Sequence, residues 1–187
     1  IYAKFSTTPS LRSKVMVFAQ FAYEDRANWV NWQSVAFATR PAVTADSGLR
    51  IFSNKASLGA EWSERISEAT FAVLRLSRFQ TWYRNTAARD SASFMSSDAG
   101  ASSAELQLTT QVQRDVALTT GLTMTLNDVV SPQTRGTKHQ SFTSAYAQAE
   151  WNVVPNIVTT MGARFDRENT VGETTSNEFS PKWGVSY

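Results

Sequence analysis

From Ser141 to Tyr187 the residue pattern alternates with a period of two in three successive stretches. Ala145, Ala147, Ala149 and Trp151 alternate with Tyr146, Gln148 and Glu150. Ile157, Thr159, Met161, Ala163 and Phe165 alternate with Val158, Thr160, Gly162, Arg164 and Asp166. Phe179, Pro181, Trp183, Val185 and Tyr187 alternate with Glu178, Ser180, Lys182, Gly184 and Ser186. Successive strand side chains point to opposite faces. The pattern therefore predicts three strands with one apolar face and one face carrying Glu150, Arg164 and Lys182.

The same period runs through the rest of the chain. Ile1 to Ser6 reads as the end of a strand, and Val15, Val17, Ala19, Phe21 and Tyr23 mark the apolar side of the next. Trp29 to Thr39 reads as a strand by its β-branched and aromatic content. Ala56, Leu58, Ala60 and Trp62 mark another. A long strand is expected from Ile66 to Tyr83, then strands at Ala104 to Val112 and Val116 to Leu126. In the long strand Arg75 and Arg78 fall on opposite faces, so one of them must lie beyond any lipid zone or snorkel. The total is about ten antiparallel strands. Short turns are expected near 25–28, 63–65, 113–115 and 152–155, and long polar connections near 40–50, 84–103, 128–140 and 168–177. Short turns at one end and long loops at the other are the pattern of a transmembrane β-barrel.

Composition narrows the choice. The chain has 187 residues, of which 42% are hydrophobic, and a mean hydropathy of -0.30. Its longest apolar runs, such as Phe71 to Leu74, fall far short of the ~20 residues of a spanning helix. A barrel stays allowed, because half of each strand is polar. The absence of cysteine excludes disulfides and thiolate metal sites. A net charge of +2 gives no argument for nucleic acid. The first residues, IYAKFSTTPS, lack the basic start and apolar run of a signal peptide, so the chain is expected to be mature or a fragment.

A loose repeat points the same way. GAEWSERISEATF, from Gly59, resembles QAEWNVVPNIVTT, from Gln148, with Glu-Trp just before a short turn in both. Trp62, Trp151 and Trp29 are expected at one level, with Trp82 and Tyr83 at the other. Indole rings sorted by height suit the two interfaces of a bilayer. A soluble β-sandwich or lipocalin-like binder is the competing architecture, and it would bury Trp62, Trp151, Val185 and Leu118.

Three strand motifs carry a family resemblance. They are Tyr146, Gln148, Glu150 and Trp151; then Gly162, Arg164, Phe165 and Asp166; then Ser180, Pro181, Lys182, Gly184 and Tyr187. In this order they resemble the barrel of TonB-dependent outer-membrane receptors, with Phe165 where a tyrosine is more usual. The resemblance implies an all-β, antiparallel transmembrane barrel over residues 1–187, part of a larger barrel of roughly 22 strands. It implies a Gram-negative outer membrane, contact with its lipid and lipopolysaccharide, and uptake of a scarce nutrient such as a ferric siderophore, cobalamin or a glycan. Energy in that class arrives from the TonB system through a plug domain, and this chain contains no plug. A complete small barrel acting as pore, adhesin or protease is the alternative, supported by an even strand count and by the aromatic last strand ending at Tyr187.

Candidate residues follow from the faces. Glu61, Glu105, Glu150, Arg164, Asp166 and Lys182 form an expected ladder of charges along the bore, where cross-strand pairing of Glu150, Arg164 and Lys182 suits their positions. Trp82, Tyr83, Arg84, Arg89 and Phe94, with Arg135 and Lys138 in other long loops, are candidates for receiving an anionic, aromatic-rich chelate by charge and stacking. Basic groups there also suit lipopolysaccharide phosphates. His139 is the only histidine. It sits without the clustered ligands a metal site needs, and pairing with Asp128 or Asp166 is its one route to protease chemistry. No cofactor and no catalytic residue is expected.

Overall fold

The structure, a computed structural model, describes residues 1–27, 34–37, 50–87, 90–131 and 136–187. Nine strands form one antiparallel sheet in chain order. They are β1 (Tyr2–Thr7), β2 (Ser13–Ala27), β3 (Arg50–Arg65), β4 (Thr70–Ala87), β5 (Asp90–Gln113), β6 (Val116–Ser131), β7 (Gly136–Val154), β8 (Ile157–Thr170) and β9 (Ser176–Ser186). Every neighbour pair is antiparallel and consecutive, so the chain is an unbroken meander. Among the described residues β1 and β9 each pair on one side only.

The chain differs from its sequence reading in four places. Of the strand expected at Trp29 to Thr39, Val35–Phe37 forms a turn of 3-10 helix, and the other positions except Ser34 lie outside the described residues. Among the described residues this leaves nine strands, so β1 and β9 run the same way. The short turn expected at 25–28 is not there either: Asp25 to Ala27 continue β2. Ala27 pairs with Arg50, at the end of β3 opposite the Trp62 pairing with Val15. The connection after β2 therefore leaves from the end opposite Trp62, and Trp29 itself is outside the described residues.

The third and fourth differences concern loops. Most of the polar stretches 84–103 and 128–140 belong to strands: Arg84 pairs with Ser96, Gly100 with Gln80, Asp128 with His139 and Val129 with Lys138. β5 reaches 24 residues, against the ~9–11 needed to cross a bilayer. A strand that rises beyond lipid has water on both faces, so it loses the alternation by which it could be recognised. Backbone pairing continues without it.

Register sorts the side chains. Pairing places Phe5, Val17, Ala60, Leu76, Ala104 and Met124 in one row on one face. One further step along the strands lies the row Leu74, Leu106, Leu122, Ala145, Phe165, Phe179. Among the described residues this apolar face has no partner layer. Trp151 is 48% exposed, Val185 55% and Leu118 37%, which rules out the enclosed core of a sandwich or lipocalin. The sheet is a single wall, with large hydrophobic side chains standing outward along its length.

The wall holds itself together through its other face. Gly121 lies opposite Tyr146, and Gly59 opposite Phe18. A Cβ at either glycine would run into the facing ring, so each aromatic lies flat across a strand that offers no side chain. That covers otherwise exposed backbone and fixes where the ring ends.

Candidate functional site

The polar face carries a continuous network centred on Arg75. Register puts Glu61, Arg75, Glu105, Thr123, Ser144, Asp166 and Glu178 in one row across β3 to β9. Arg75 Nε donates to Glu61 Oε2 at 3.0 Å, and Nη1 to Glu105 Oε2 at 3.1 Å. Glu105 also accepts from the Tyr146 hydroxyl at 3.2 Å. One guanidinium thus bridges carboxylates on both neighbouring strands, and the tyrosine held over Gly121 completes the shell of Glu105. Arg75 was not singled out as a ladder member from the sequence. Its signal was present, since it is the arginine on the face opposite Leu74 and Leu76.

Glu61, Glu105, Glu150, Arg164, Asp166 and Lys182 all stand on this polar face. Glu150, Arg164 and Lys182 do not pair directly across strands as expected. Arg164 Nε donates to Asp166 on its own strand at 2.8 Å, and its Nη2 to Ser144 at 2.9 Å. Lys182 Nζ donates to Gln148 Oε1 at 3.0 Å, and Gln148 Nε2 donates to Glu150 Oε1 at 2.8 Å. Two residues apart on one strand face, Arg164 and Asp166 are close enough to satisfy one another, and the Gln148 amide relays between the remaining charges. Between these groups lies an open hollow of about 330 Å³ bordered by Tyr146, Gly162, Arg164, Ser180 and Lys182.

The candidate ligand residues are spread out rather than gathered. Trp82 and Tyr83 were expected to end a strand and Arg84 to open a loop; all three are consecutive residues of β4. They alternate, so Trp82 and Arg84 share the face of Leu76 while Tyr83 is on the polar face. Arg89 and Arg135 lie outside the described residues, and Phe94 belongs to β5. Lys138 lies on β7. His139 pairs in register with Asp128, whose carboxylate takes Arg78 Nη1 at 3.0 Å. Of the two arginines expected on opposite faces, Arg78 is the one on the apolar side.

The apolar face has a sloping boundary. The cross-strand row Ser13, Glu64, Ala72, Leu108, Thr120, Ala147, Ala163, Pro181 is polar on β2 and β3 and enters the apolar field beyond them. The row Phe5, Val17, Ala60, Leu76, Ala104, Met124, Thr143, Arg167, Asn177 is apolar as far as β6 and polar on β8 and β9. The apolar field is therefore a band oblique to the strands, sliding by about one residue per strand. With ~3.3 Å per residue along a strand and ~4.8 Å between strands, that slope is ~35°. Strands of membrane barrels tilt by ~35–45° from the membrane normal. A level lipid layer crossing tilted strands produces this band; a local core does not.

A family model described as "TonB dependent receptor-like, beta-barrel" matches residues 4–187. The chain belongs to this family. Solved structures share the fold at low identity. The FrpB iron transporter from Neisseria meningitidis superposes with a TM-score of 0.80 at 10% identity, over 98% of this chain and 33% of its own. FpvA of Pseudomonas aeruginosa, bound to a heterologous ferric pyoverdine, gives 0.69 at 12%, covering 98% of this chain and 32% of that one. The ferric yersiniabactin uptake receptor FyuA from Yersinia pestis gives 0.62 at 16%, over 98% and 33%. No curated protein matches. The chain thus spans about a third of the length of these solved relatives. In membrane β-barrels generally, the apolar side of each strand is turned to lipid and the polar side to the interior.

Proposed function

We propose that this chain is part of the wall of an outer-membrane receptor that takes up a scarce nutrient, such as a ferric siderophore, with energy delivered by TonB. The oblique apolar band carries the reading: it fits a wall seated in a bilayer, with a hydrated, charged bore behind it. The likeness to barrels named for iron and ferric chelates favours an iron compound as cargo. Coupled uptake needs a plug domain within the bore. The Arg75 network, the hollow at Lys182 and the rest of the charge ladder give that bore polar groups with which a plug or a passing solute can exchange hydrogen bonds.

Further strands beside β1 and β9 fit the match of the nine described strands to about a third of the solved receptors. Cargo is received at the end of the long 28–49 connection. Tyr83 on the bore side, with Trp82 and Arg84 beside it on β4, supplies charge and aromatic surface there. The apolar band supports direct contact with outer-membrane lipid as part of the same reading.

Uptake of a radiolabelled panel of ferric chelates by iron-starved cells, with and without the gene, tests the function. At least one chelate should enter only when the gene is present, and a protonophore should stop its entry. Uptake that ignores the gene, or that persists when the proton gradient is collapsed, would contradict it.

A further inference from the structure

A hollow of about 910 Å³ lies on the polar face at the short-turn end of β2, β3 and β4, bordered by Arg12, Lys14, Arg65, Arg75, Phe71 and Val73. Register sets Lys14 level with Ser63 and Val73, and Arg65 level with Phe71, two residues nearer the turn. Arg12 joins them from the β1–β2 connection. Ser10 Oγ accepts from the Arg12 and Ser13 amides, each at 3.1 Å, and the Arg65 amide donates to the Arg12 carbonyl at 2.8 Å. The connection is thereby fixed to the end of β3, with the Arg12 and Arg65 backbones in contact.

Charge at this hollow is uncompensated. Arg75 and Glu61 satisfy one another, but Arg12, Lys14 and Arg65 have no carboxylate partner among the described residues. The surplus extends beyond the hollow. Among the described residues the polar face of β1 to β4 carries Lys4, Lys14, Arg26, Lys55, Arg65 and Arg75 against Glu24 and Glu61. Across β5 to β9 the same face carries Lys138, Arg164 and Lys182 against Glu105, Glu150, Asp166, Glu168 and Glu178. One side of the wall is thus positive and the other negative, and a cleft lined by one sign of charge concentrates the opposite ion.

The floor of the hollow selects which anion. Phe71 is 44% exposed among the cations, and a bare inorganic ion would leave its ring in water. A flat ring carrying several carboxylates covers Phe71 while its edge groups reach the three cations.

We propose that this hollow binds a multiply charged anion built on a flat ring, at the end of the bore that faces the periplasm in barrels with short turns there. The site deepens the uptake reading, on which it rests. The cargo is anionic, is drawn along the β1–β4 side past Lys55 and Lys4, and is held at the exit before release.

Isothermal titration calorimetry on the detergent-purified full-length protein tests the site. The probes are trimesate, a benzene ring with three carboxylates, its neutral triamide, and inorganic phosphate. Trimesate should bind about tenfold more tightly than either of the others. Arg12→Gln, Lys14→Gln and Arg65→Gln should each weaken trimesate about fivefold, and Phe71→Ala should weaken trimesate but not phosphate. Arg114→Gln, on the β5–β6 turn and outside the hollow, should leave trimesate binding unchanged. Heat-modifiable gel mobility reports that each variant is folded; if Arg12→Gln loses it, Lys14→Gln and Arg65→Gln carry the test. Trimesate bound no better than the triamide or phosphate, or held as well by the folded glutamine variants, overturns the site. So does a protein that binds no probe, since the hollow is then filled by another segment of the receptor. A folded barrel with any of these results sinks this inference alone. A protein that stays soluble without detergent sinks the reading beneath it.

Discussion

Leu122→Arg should destabilise the barrel by about 2–4 kcal/mol, the cost of an arginine near the bilayer midplane on the lipid face. Leu122 pairs with Leu106 on one side and Ala145 on the other, and stands 58% exposed. Its neighbours along the same face are Thr120 and Met124. The new guanidinium thus has no carboxylate within a strand spacing and no route to water except by snorkelling. Thr123→Arg, one residue on, should cost within about 1 kcal/mol. Thr123 pairs with Glu105 and Ser144 on the bore side, where water and a counter-charge await. Equilibrium unfolding in denaturant, with the protein in lipid vesicles, reads both. Equal penalties at 122 and 123 would mean that the two faces do not meet different solvents.

Loss of Arg75 should be the largest effect on the bore side. Arg75→Leu leaves Glu61 and Glu105 on either side of an apolar residue, with neither bridged. A buried version of that change costs ~3–5 kcal/mol. Arg75 is half exposed, with 45% of its side chain accessible, so water screens the carboxylates and a loss of about 1–2 kcal/mol is expected. Adding Glu61→Gln and Glu105→Gln to Arg75→Leu should recover most of it, because no charge is then left without a partner. If the triple variant is no more stable than Arg75→Leu alone, the arginine acts through packing and the bridge contributes nothing.

The sequence was most readable where the two faces differ most. Ala145 to Trp151 and Phe179 to Tyr187 alternate without a break, because each residue there stands on either the apolar or the polar face. Beyond the apolar band both faces are polar, and the signal ends while the strand does not. That is why Arg84 and Asp98 read as loop yet pair in β4 and β5. Of Trp29 to Thr39 only residues 34–37 are described, and there Val35–Phe37 forms a helical turn although the β-branched and aromatic content of the stretch looks like a strand.

The charged residues were placed on the right face by parity alone. Their partners were not legible, because partner choice depends on register and on side-chain reach. Nothing in the spacing reveals that Arg75 bridges two strands, or that Gln148 stands between Lys182 and Glu150. The sloping edge of the apolar band was equally hidden. It emerges only when register sets Glu64 level with Pro181 and Phe5 level with Asn177.

Site-directed spin labelling along β7 tests the central claim, and residues 1–187 contain no cysteine to interfere. Single cysteines at positions 145 to 150 of the vesicle-inserted full-length protein would carry a nitroxide, probed with oxygen and with a water-soluble paramagnetic complex. Labels replacing Ala145, Ala147 and Ala149 should be reached by oxygen and shielded from the complex, while those replacing Tyr146, Gln148 and Glu150 show the reverse. Accessibility that fails to alternate, or that alternates in the opposite phase, would contradict an apolar wall facing lipid with a charged bore behind it.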